Sequence, residues 1–179
     1  MRLPPAPAPW YLRPLHALQR RRHGCVLEPT ALWTWRPAAM LGFLALFGLL
    51  RRRRSPMPAM LRALASVRVS QMADCAFCVD LNSAMLAGED GQARLGEVSR
   101  WRESAAFDDD ERLVLEYAEA MTCTPPAVDE ALLSRLKARF EPAAIVELSA
   151  VIGLQNMSAR FNHALGAQAH GFCALPGAD

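Results

Sequence analysis

Helical spacing of apolar residues dominates this chain from about residue 30 onward and restricts the fold more than any other feature. Met60, Leu61, Leu64 and Val67 show the spacing, which is typical of a helix with a buried face. No segment combines two-residue alternation with β-branched residues, so the pattern predicts no strand. We therefore predict an all-α fold, a compact helical bundle. A length of 179 residues suits one domain plus an N-terminal arm.

Capping and stop signals divide this pattern into helices. Asp108 and Glu111 have the spacing of a capping box, and Pro142 suits the first turn of the last long helix. Asp74 is predicted to be the N-cap of a helix that starts at Cys75 and stops at Gly88. The predicted helices cover residues 37–53, 56–72, 75–87, 91–101, 129–140 and 142–166, together with the capped helix that ends at Pro125 and Pro126.

The N-terminal residues have a different composition. Prolines at positions 4, 5, 7, 9 and 14 predict an extended arm over residues 1–30, and the apolar run 37–50 predicts a covering helix. We divide the chain into residues 1–55, a helical domain over 56–173 and a tail over 174–179. Trp10, Tyr11 and the apolar run are too much apolar surface for a monomer to expose. We expect residues 1–55 to cover the core or a neighbouring subunit of a homo-oligomer.

Charge and hydropathy predict a cytoplasmic protein without a membrane or nucleic-acid partner. The run 37–50 is shorter than the about 20 residues of a membrane span, although Arg51–Arg54 directly after it leave a membrane-associated segment as the alternative. We interpret these arginines as a solvated helix C-terminus, where cations complement the helix dipole. The net charge of +2 and the short basic cluster Arg20–Arg22 do not indicate nucleic-acid binding.

Cys75 and Cys78 form a CxxC pair, the most informative motif of the chain. A structural zinc site would need four ligands, and no second pair is near. Haem attachment would need a histidine where Val79 stands, and a thioredoxin-like site would need a βαβ context. A redox dithiol is the favoured interpretation, with zinc and a purely structural role as alternatives. No cofactor or metal is predicted.

The predicted helix start suits thiol chemistry. Residues three apart share a helix face, and a helix N-terminus stabilises a thiolate. A thiolate attacks a hydroperoxide to give a sulfenic acid, which condenses with the second thiol to a disulfide. A small hydroperoxide would then be the substrate, and an external dithiol would reduce the disulfide.

Two segments, RVSQMADCAFCVDLNSAML and WRESAAFDDDERLVLEYAEAMT, resemble the carboxymuconolactone decarboxylase superfamily, and specifically its two-cysteine, alkylhydroperoxidase D-like branch. The resemblance spans about residues 56–166. It implies an all-α fold that forms a trimer or a higher homo-oligomer, in which Cys78 attacks peroxide and Cys75 resolves the product. It also implies a glutamate and histidine proton relay at the positions of Ala63 and Asn82.

The relay positions depart from the family pattern. Asn82 cannot accept a proton at useful pH, and Ala63 has no ionisable group. Asp80 and Glu28 are the alternative acids, although helical spacing points Asp80 away from the cysteines, and it is otherwise a solvated charge. The candidate site residues are therefore Cys78, Cys75 and Asn82, the last of which is otherwise a helix-contact residue.

Two other functions remain open: a non-enzymatic or regulatory helical oligomer with a degenerate site, and a lactone-acid decarboxylase of the same superfamily. The other cysteines and histidines are weaker candidates. Cys25 and Cys123 are interpreted as isolated thiols, His163 and His170 as surface or interface residues, and Cys173 as part of a docked tail.

Overall fold

A computed structural model gives the fold and describes residues 2–84 and 94–172. All regular structure within these ranges is helical, so the predicted all-α class is confirmed. Residues 94–97 are helical and continue into a 3-10 turn, Val98–Arg100. The α-helices are α1 (Arg13–His23), α2 (Glu28–Trp33), α3 (Pro37–Leu50), α4 (Ala59–Met72), α5 (Ala76–Ala84), α6 (Asp109–Thr122), α7 (Glu130–Arg139) and α8 (Pro142–Leu165).

The later helices begin and end at the predicted local signals. Asp108 and Glu111 form a reciprocal capping box at α6, and the Asp129 side chain accepts the Leu132 backbone N–H at 2.7 Å to cap α7. Gly166 ends α8 in the left-handed conformation at φ 70°, which glycine adopts without steric cost.

The end of α3 differs from the prediction. Helix α3 ends at Leu50 rather than at residue 53, because the Arg62 guanidinium donates to the carbonyl oxygens of Leu50 and Arg52 and so takes the place of further helical turns. The predicted helix start at Gly91 and the stop at Gly88 lie outside the described residues.

Helix α4 is the centre of the bundle and packs against α5, α6 and α8. Its residues Leu61, Ala65 and Val69 face the main core, while Leu64 and Val67 face a second cluster. The main core also contains Leu113, Val114, Tyr117, Leu132, Leu136, Leu148 and Ile152. Because α4 is covered on several sides, its polar residues must also find partners inside the protein.

The predicted extended arm over residues 1–30 is wrong for most of its length, because residues 2–9 have no regular structure but a 3-10 turn, Trp10–Leu12, α1 and α2 follow the first prolines. The N-terminal region packs on the end of α8: the Arg2 backbone N–H donates to the Leu165 carbonyl at 2.7 Å, and Leu12 is buried. The Trp33 ring stacks on Phe161 with centroids 4.4 Å apart. Helix α3 has 14 residues, and none of the helices in the described residues meets the length and hydropathy of a membrane span.

The Trp33 stack predicts a measurable contribution to stability. Trp33 also faces Phe43 at 5.9 Å between ring centroids, so Trp33→Ala removes contacts with both α3 and α8. We expect this change to lower the free energy of unfolding by about 2–4 kcal/mol, measured by urea denaturation. Trp10 is 76% exposed, and the control Trp10→Ala should change it by less than about 0.5 kcal/mol. Equal effects of the two substitutions would contradict the packing described here.

Candidate redox site

The CxxC pair begins at a tight turn between α4 and α5. Asp74 adopts a left-handed backbone conformation with φ 49°, which aspartate tolerates better than most residues. The Cys75 backbone N–H donates to the Ser70 carbonyl at 3.0 Å, which ties the turn to the last turn of α4. The two helices therefore meet directly before the cysteines.

Cys75, not Asp74, occupies the N-cap position of α5. The Cys78 backbone N–H donates to Cys75 Sγ at 3.2 Å, as a capping side chain accepts it from the third helical residue. The predicted N-cap role of Asp74 is wrong, because the left-handed turn directs its side chain outward. That side chain is 93% exposed and its carboxylate lies 3.8 Å from His163 Nδ1.

Cys75 and Cys78 form a disulfide with their Cα atoms 5.2 Å apart. Each cysteine is only 2% exposed. Phe77, Ala159 and Ala167 are buried in the same cluster. The pair therefore lies beneath the surface, in a mostly apolar environment.

Asn162 on α8 is the side chain that approaches the second sulfur. Its Nδ2 donates to Cys78 Sγ at 3.2 Å, and the residue is only 2% exposed. Its Oδ1 is buried without a hydrogen-bond partner among the described residues. Sequence analysis missed Asn162, although its register with the buried Gln155 and Ala159 on an otherwise apolar helix face was a signal.

Asn82 belongs to a polar network next to the disulfide. Its Oδ1 accepts from the Arg51 guanidinium at 2.6 Å, and its Nδ2 donates to Ser70 Oγ at 3.2 Å. Ser70 Oγ also accepts from Gln155 Nε2 at 2.9 Å and donates to the Ser66 carbonyl at 2.6 Å. The network joins α4, α5 and α8 with the residue that follows α3.

Arg51 differs from its predicted role as a solvated cation. It is half-buried, while Arg52, Arg53 and Arg54 are exposed, because α3 turns it inward toward Asn82. Burial, and secondarily the charge of Arg62, lower the pKa of Arg51 to about 10. It therefore remains a cation at neutral pH.

Ala63, the position of the relay glutamate in the resemblance, lines a cavity of about 260 Å³ between α3, α4 and α8. Arg51 and Gln155 line the same cavity. Ala63 thus lines the cavity directly, and Asn82 is connected to it through the hydrogen bond from Arg51. No charged group replaces the relay glutamate at Ala63 itself.

The alternative acids hold the C-terminal segment. Asp80 is buried rather than solvated, and its Oδ2 accepts the His170 backbone N–H at 2.8 Å. Glu28 Oε2 accepts the Gln168 backbone N–H at 2.9 Å. These hydrogen bonds fix residues 167–172 over the start of α5.

Residues 24–28 and 167–172 together cover the disulfide; we call them the terminal clasp. Leu27 and Phe172 pack on the cluster that contains the cysteines. Cys25 Sγ lies 3.2 Å from His170 Nδ1, and the His170 ring contacts Phe77 edge-on at 5.5 Å. Cys25 is therefore not an isolated thiol, and His170 is not a simple surface residue. Sequence analysis missed this pair because its members are 145 positions apart.

The remaining candidates lie away from the sulfurs or outside the described residues. Cys123 is an exposed free thiol, and His163 is exposed while its Nδ1 contacts the Asp74 carbonyl at 2.6 Å. Cys173 lies outside the described residues. Within residues 2–84 and 94–172, no group of three or more His, Cys, Asp or Glu side chains is placed to hold a metal ion.

Solved structures share this fold. An alkylhydroperoxidase AhpD core, a peroxidase-related protein from Ralstonia eutropha JMP134, superposes with a TM-score of 0.82 at 18% identity, over 94% of this chain and 91% of that one. The debrominase Bmp8 superposes with a TM-score of 0.80 at 19% identity, over 94% of this chain and 92% of that one. These likenesses establish the architecture.

Sequence comparison establishes the family. The model of the carboxymuconolactone decarboxylase family matches residues 37–120, from α3 into α6. The uncharacterized protein YnjA of Escherichia coli (strain K12) is 47% identical over 178 residues, which are 98% of each chain. The family model covers the middle of this chain, and a relative 47% identical covers nearly all of it. The chain therefore belongs to the carboxymuconolactone decarboxylase family and has an AhpD-like fold.

Proposed function

We propose that this protein is a dithiol peroxidase of the two-cysteine, alkylhydroperoxidase D-like branch, which reduces hydroperoxides through Cys75 and Cys78. The observation that carries the proposal is the joined cysteine pair, in which each sulfur accepts one N–H donor. N–H donors stabilise a thiolate more than a neutral thiol, and thiolate is the reactive form. The name of the Ralstonia structure supports this reaction, while Bmp8 is named for a different one on the same fold.

The reaction begins from the reduced pair. The Cys78 thiolate attacks the terminal oxygen of the hydroperoxide, the O–O bond breaks, and the departing alkoxide takes a proton to become an alcohol. Cys78 is then a sulfenic acid, and the Cys75 thiol condenses with it: the S–S bond forms, the S–O bond breaks, and the hydroxyl leaves as water with the thiol proton. The cysteine pair has lost two electrons to the peroxide, and an external dithiol returns them by thiol–disulfide exchange.

Proton supply distinguishes this site from the relay that the resemblance implies. Asn82 and Ala63 supply no titratable group, but the Arg51 guanidinium is bonded to Asn82, one helical turn from Cys78. A guanidinium stabilises a departing anion without giving up its proton. We infer a slower reaction than in a relative with both relay residues.

Access and assembly complete the proposal. Since both cysteines are 2% exposed beneath the terminal clasp, we infer that the clasp moves when an external dithiol reduces the disulfide. This need for a dithiol suits a cytoplasmic location, where thiol reductants are kept reduced.

Helix α3 exposes about half of the side-chain surface of Leu41, Leu46 and Leu49. We propose that a second copy of the chain covers these side chains in a homo-oligomer.

The cysteine variants test the proposed activity. With dithiothreitol as the external dithiol, the protein should consume cumene hydroperoxide, and Cys78→Ser should abolish this because it removes the attacking sulfur. Cys75→Ser should react once and accumulate a sulfenic acid at Cys78, detected by dimedone labelling and mass spectrometry. Cys123→Ser, which changes an exposed thiol, is the control and should keep full activity. Peroxide consumption that survives Cys78→Ser, or disulfides that involve only other cysteines, would exclude this mechanism.

The Asn162 contact predicts an effect on Cys78 reactivity. Asn162→Leu removes the N–H donor at similar volume, and a hydrogen bond to a charged group contributes about 1.5–3 kcal/mol. The alkylation rate of reduced Cys78 by iodoacetamide near neutral pH should fall by about tenfold to a hundredfold. The rate should recover at higher pH, because the Cys78 thiol loses its proton less readily without the Asn162 N–H donor.

Asn156→Leu is the matched control for this measurement. Asn156 lies on the same helix and also has a buried Oδ1 without a hydrogen-bond partner among the described residues, but its Nδ2 donates to Thr122 and Ile152. The Asn156→Leu variant should leave the alkylation rate of Cys78 unchanged. If both variants slow alkylation equally, loosening of α8 rather than the Asn162 N–H explains the effect.

Rebuilding the relay tests the inferred lack of a proton donor. General acid–base help contributes about 10²–10⁴-fold, so Asn82→His with Ala63→Glu should raise kcat/KM for cumene hydroperoxide by about tenfold or more. Ala63 lines the cavity, which gives the longer side chain room, but Asn82 is buried and the melting temperature must be followed. If the folded variant gains nothing, another donor already serves the site, and Asp80→Asn and Glu28→Gln become the next variants.

A further inference from the structure

Cys25 and His170 form a thiol–imidazole pair that the proposed peroxidase reaction does not use. Cys25 is a free thiol, and its Sγ shares a hydrogen bond with His170 Nδ1 at 3.2 Å. The two residues are 145 positions apart, so the fold rather than the local sequence brings them together. An imidazole within hydrogen-bond reach activates a thiol as a nucleophile, because it accepts the thiol proton.

The His170 ring is held in place for this contact. The His170 backbone N–H donates to Asp80 Oδ2 at 2.8 Å. The imidazole stacks on Phe172 with 5.4 Å between ring centroids, and it meets Phe77 edge-on at 5.5 Å. Its Nε2 is buried and has no hydrogen-bond partner among residues 2–84 and 94–172. The ring is thus positioned by its neighbours and presents Nδ1 to Cys25, which completes the pattern of a nucleophile with an oriented base.

Open space beside Cys25 lets a small molecule reach its sulfur. The residue is partly exposed and follows Gly24, which ends α1 in the left-handed conformation at φ 76°. Apart from the chain neighbours of Gly24, no atom of the described residues lies within 4 Å of the position that a Cβ would take there. The disulfide of Cys75 and Cys78 is buried, with each cysteine 2% exposed. A small reagent therefore meets Cys25 before it meets the buried pair.

We propose that Cys25 is a modification site at which a low-molecular-weight disulfide forms a mixed disulfide with the protein. His170 Nδ1 accepts the Cys25 proton, and the Cys25 sulfur attacks one sulfur of the external disulfide. A new S–S bond joins Cys25 to one half of the reagent, the S–S bond of the reagent breaks, and the departing thiolate takes the proton from His170. Cys25 is oxidised and the released half is reduced, so the reagent is the oxidant. The reaction uses neither peroxide nor the pair of Cys75 and Cys78.

The oxidised, full-length protein isolates this reaction, because Cys75 and Cys78 are already joined in it. The protein is treated with hydroxyethyl disulfide near neutral pH and quenched with N-ethylmaleimide after increasing times. Mass spectrometry then measures the mixed disulfide on the tryptic peptides that contain Cys25 or Cys123. Cys123 is more exposed than Cys25 and is the internal control. Cys25 should nevertheless react at least about tenfold faster, because an imidazole accepts its proton.

Substitution of His170 tests its role as the base. His170→Gln keeps a polar side chain but removes the proton acceptor, so the modification rate of Cys25 should fall by about tenfold or more. The rate at Cys123 should not change. His163→Gln makes the same change at an exposed histidine of α8 and should leave both rates unchanged. If His170 only covered the thiol, its substitution would speed the modification, so the direction of the change separates the two roles.

Three results would overturn the proposal. They are a Cys123 that reacts as fast as Cys25, a Cys25 rate that is unchanged or raised in His170→Gln, and a disulfide from Cys25 to Cys75 or Cys78 in place of the mixed disulfide. If His170→Gln does not fold, the comparison of the two thiols in the unaltered chain still decides. Since no peroxide or dithiol is present, a protein that is modified at Cys25 but consumes no hydroperoxide would refute the proposed function and leave this site intact.

Discussion

The burial of α4 on several sides is the constraint on which the rest of the structure depends. A helix covered by α5, α6 and α8 cannot leave its polar side chains to water, so each must be satisfied within the protein. Ser66 and Ser70 donate back to the carbonyl oxygens of Arg62 and Ser66. Ser70 then accepts from Asn82 and Gln155, which fixes the rotation of α5 and α8 about α4. That rotation places the cysteines of α5 against Asn162 of α8.

The same constraint explains how α3 is attached. Arg62 is buried on α4 and donates to carbonyl oxygens at and beyond the end of α3, which have no partners within that helix. A buried arginine without such acceptors would be strongly destabilising. Docking of α3 therefore gives acceptors to both terminal nitrogens of Arg62. It also brings Arg51, which follows α3, to Asn82. The cavity between the helices is a result of this attachment, because the apolar side chains of α3 do not fill the space around the two guanidinium groups.

Features with local causes could be predicted from the sequence. The capping box of Asp108 and Glu111 and the end of α8 at Gly166 depend on neighbours within a few residues, and the structure has both. The all-α class follows from the same local periodicity. The pairing of Cys75 with Cys78 also needed only their separation of three and a common helix face.

Features with tertiary causes could not be predicted in this way. The end of α3 depends on Arg62, and the outward turn of Asp74 depends on how α4 meets α5. Asn162 reaches Cys78 across 84 positions of sequence, and its register with Gln155 and Ala159 marks it only as a buried residue of α8, not as a partner of the cysteines. Asp80 was expected to be solvated, but it is buried because the C-terminal segment folds back and uses it as an acceptor.

The Arg51–Asn82 contact also bears on why the proposed site lacks a histidine at this position. A guanidinium 2.6 Å from the side chain at position 82 would disfavour a second positive charge there, so an imidazole in that place would be held neutral. A carboxylate at position 63, on the wall of the same cavity as Arg51 and Arg62, would offset that repulsion. The two relay substitutions are therefore coupled through Arg51, and Asn82→His alone should gain less than it does together with Ala63→Glu. An amide that accepts from Arg51 and donates to Ser70 satisfies both neighbours without any charge, so asparagine suits position 82 beside a guanidinium.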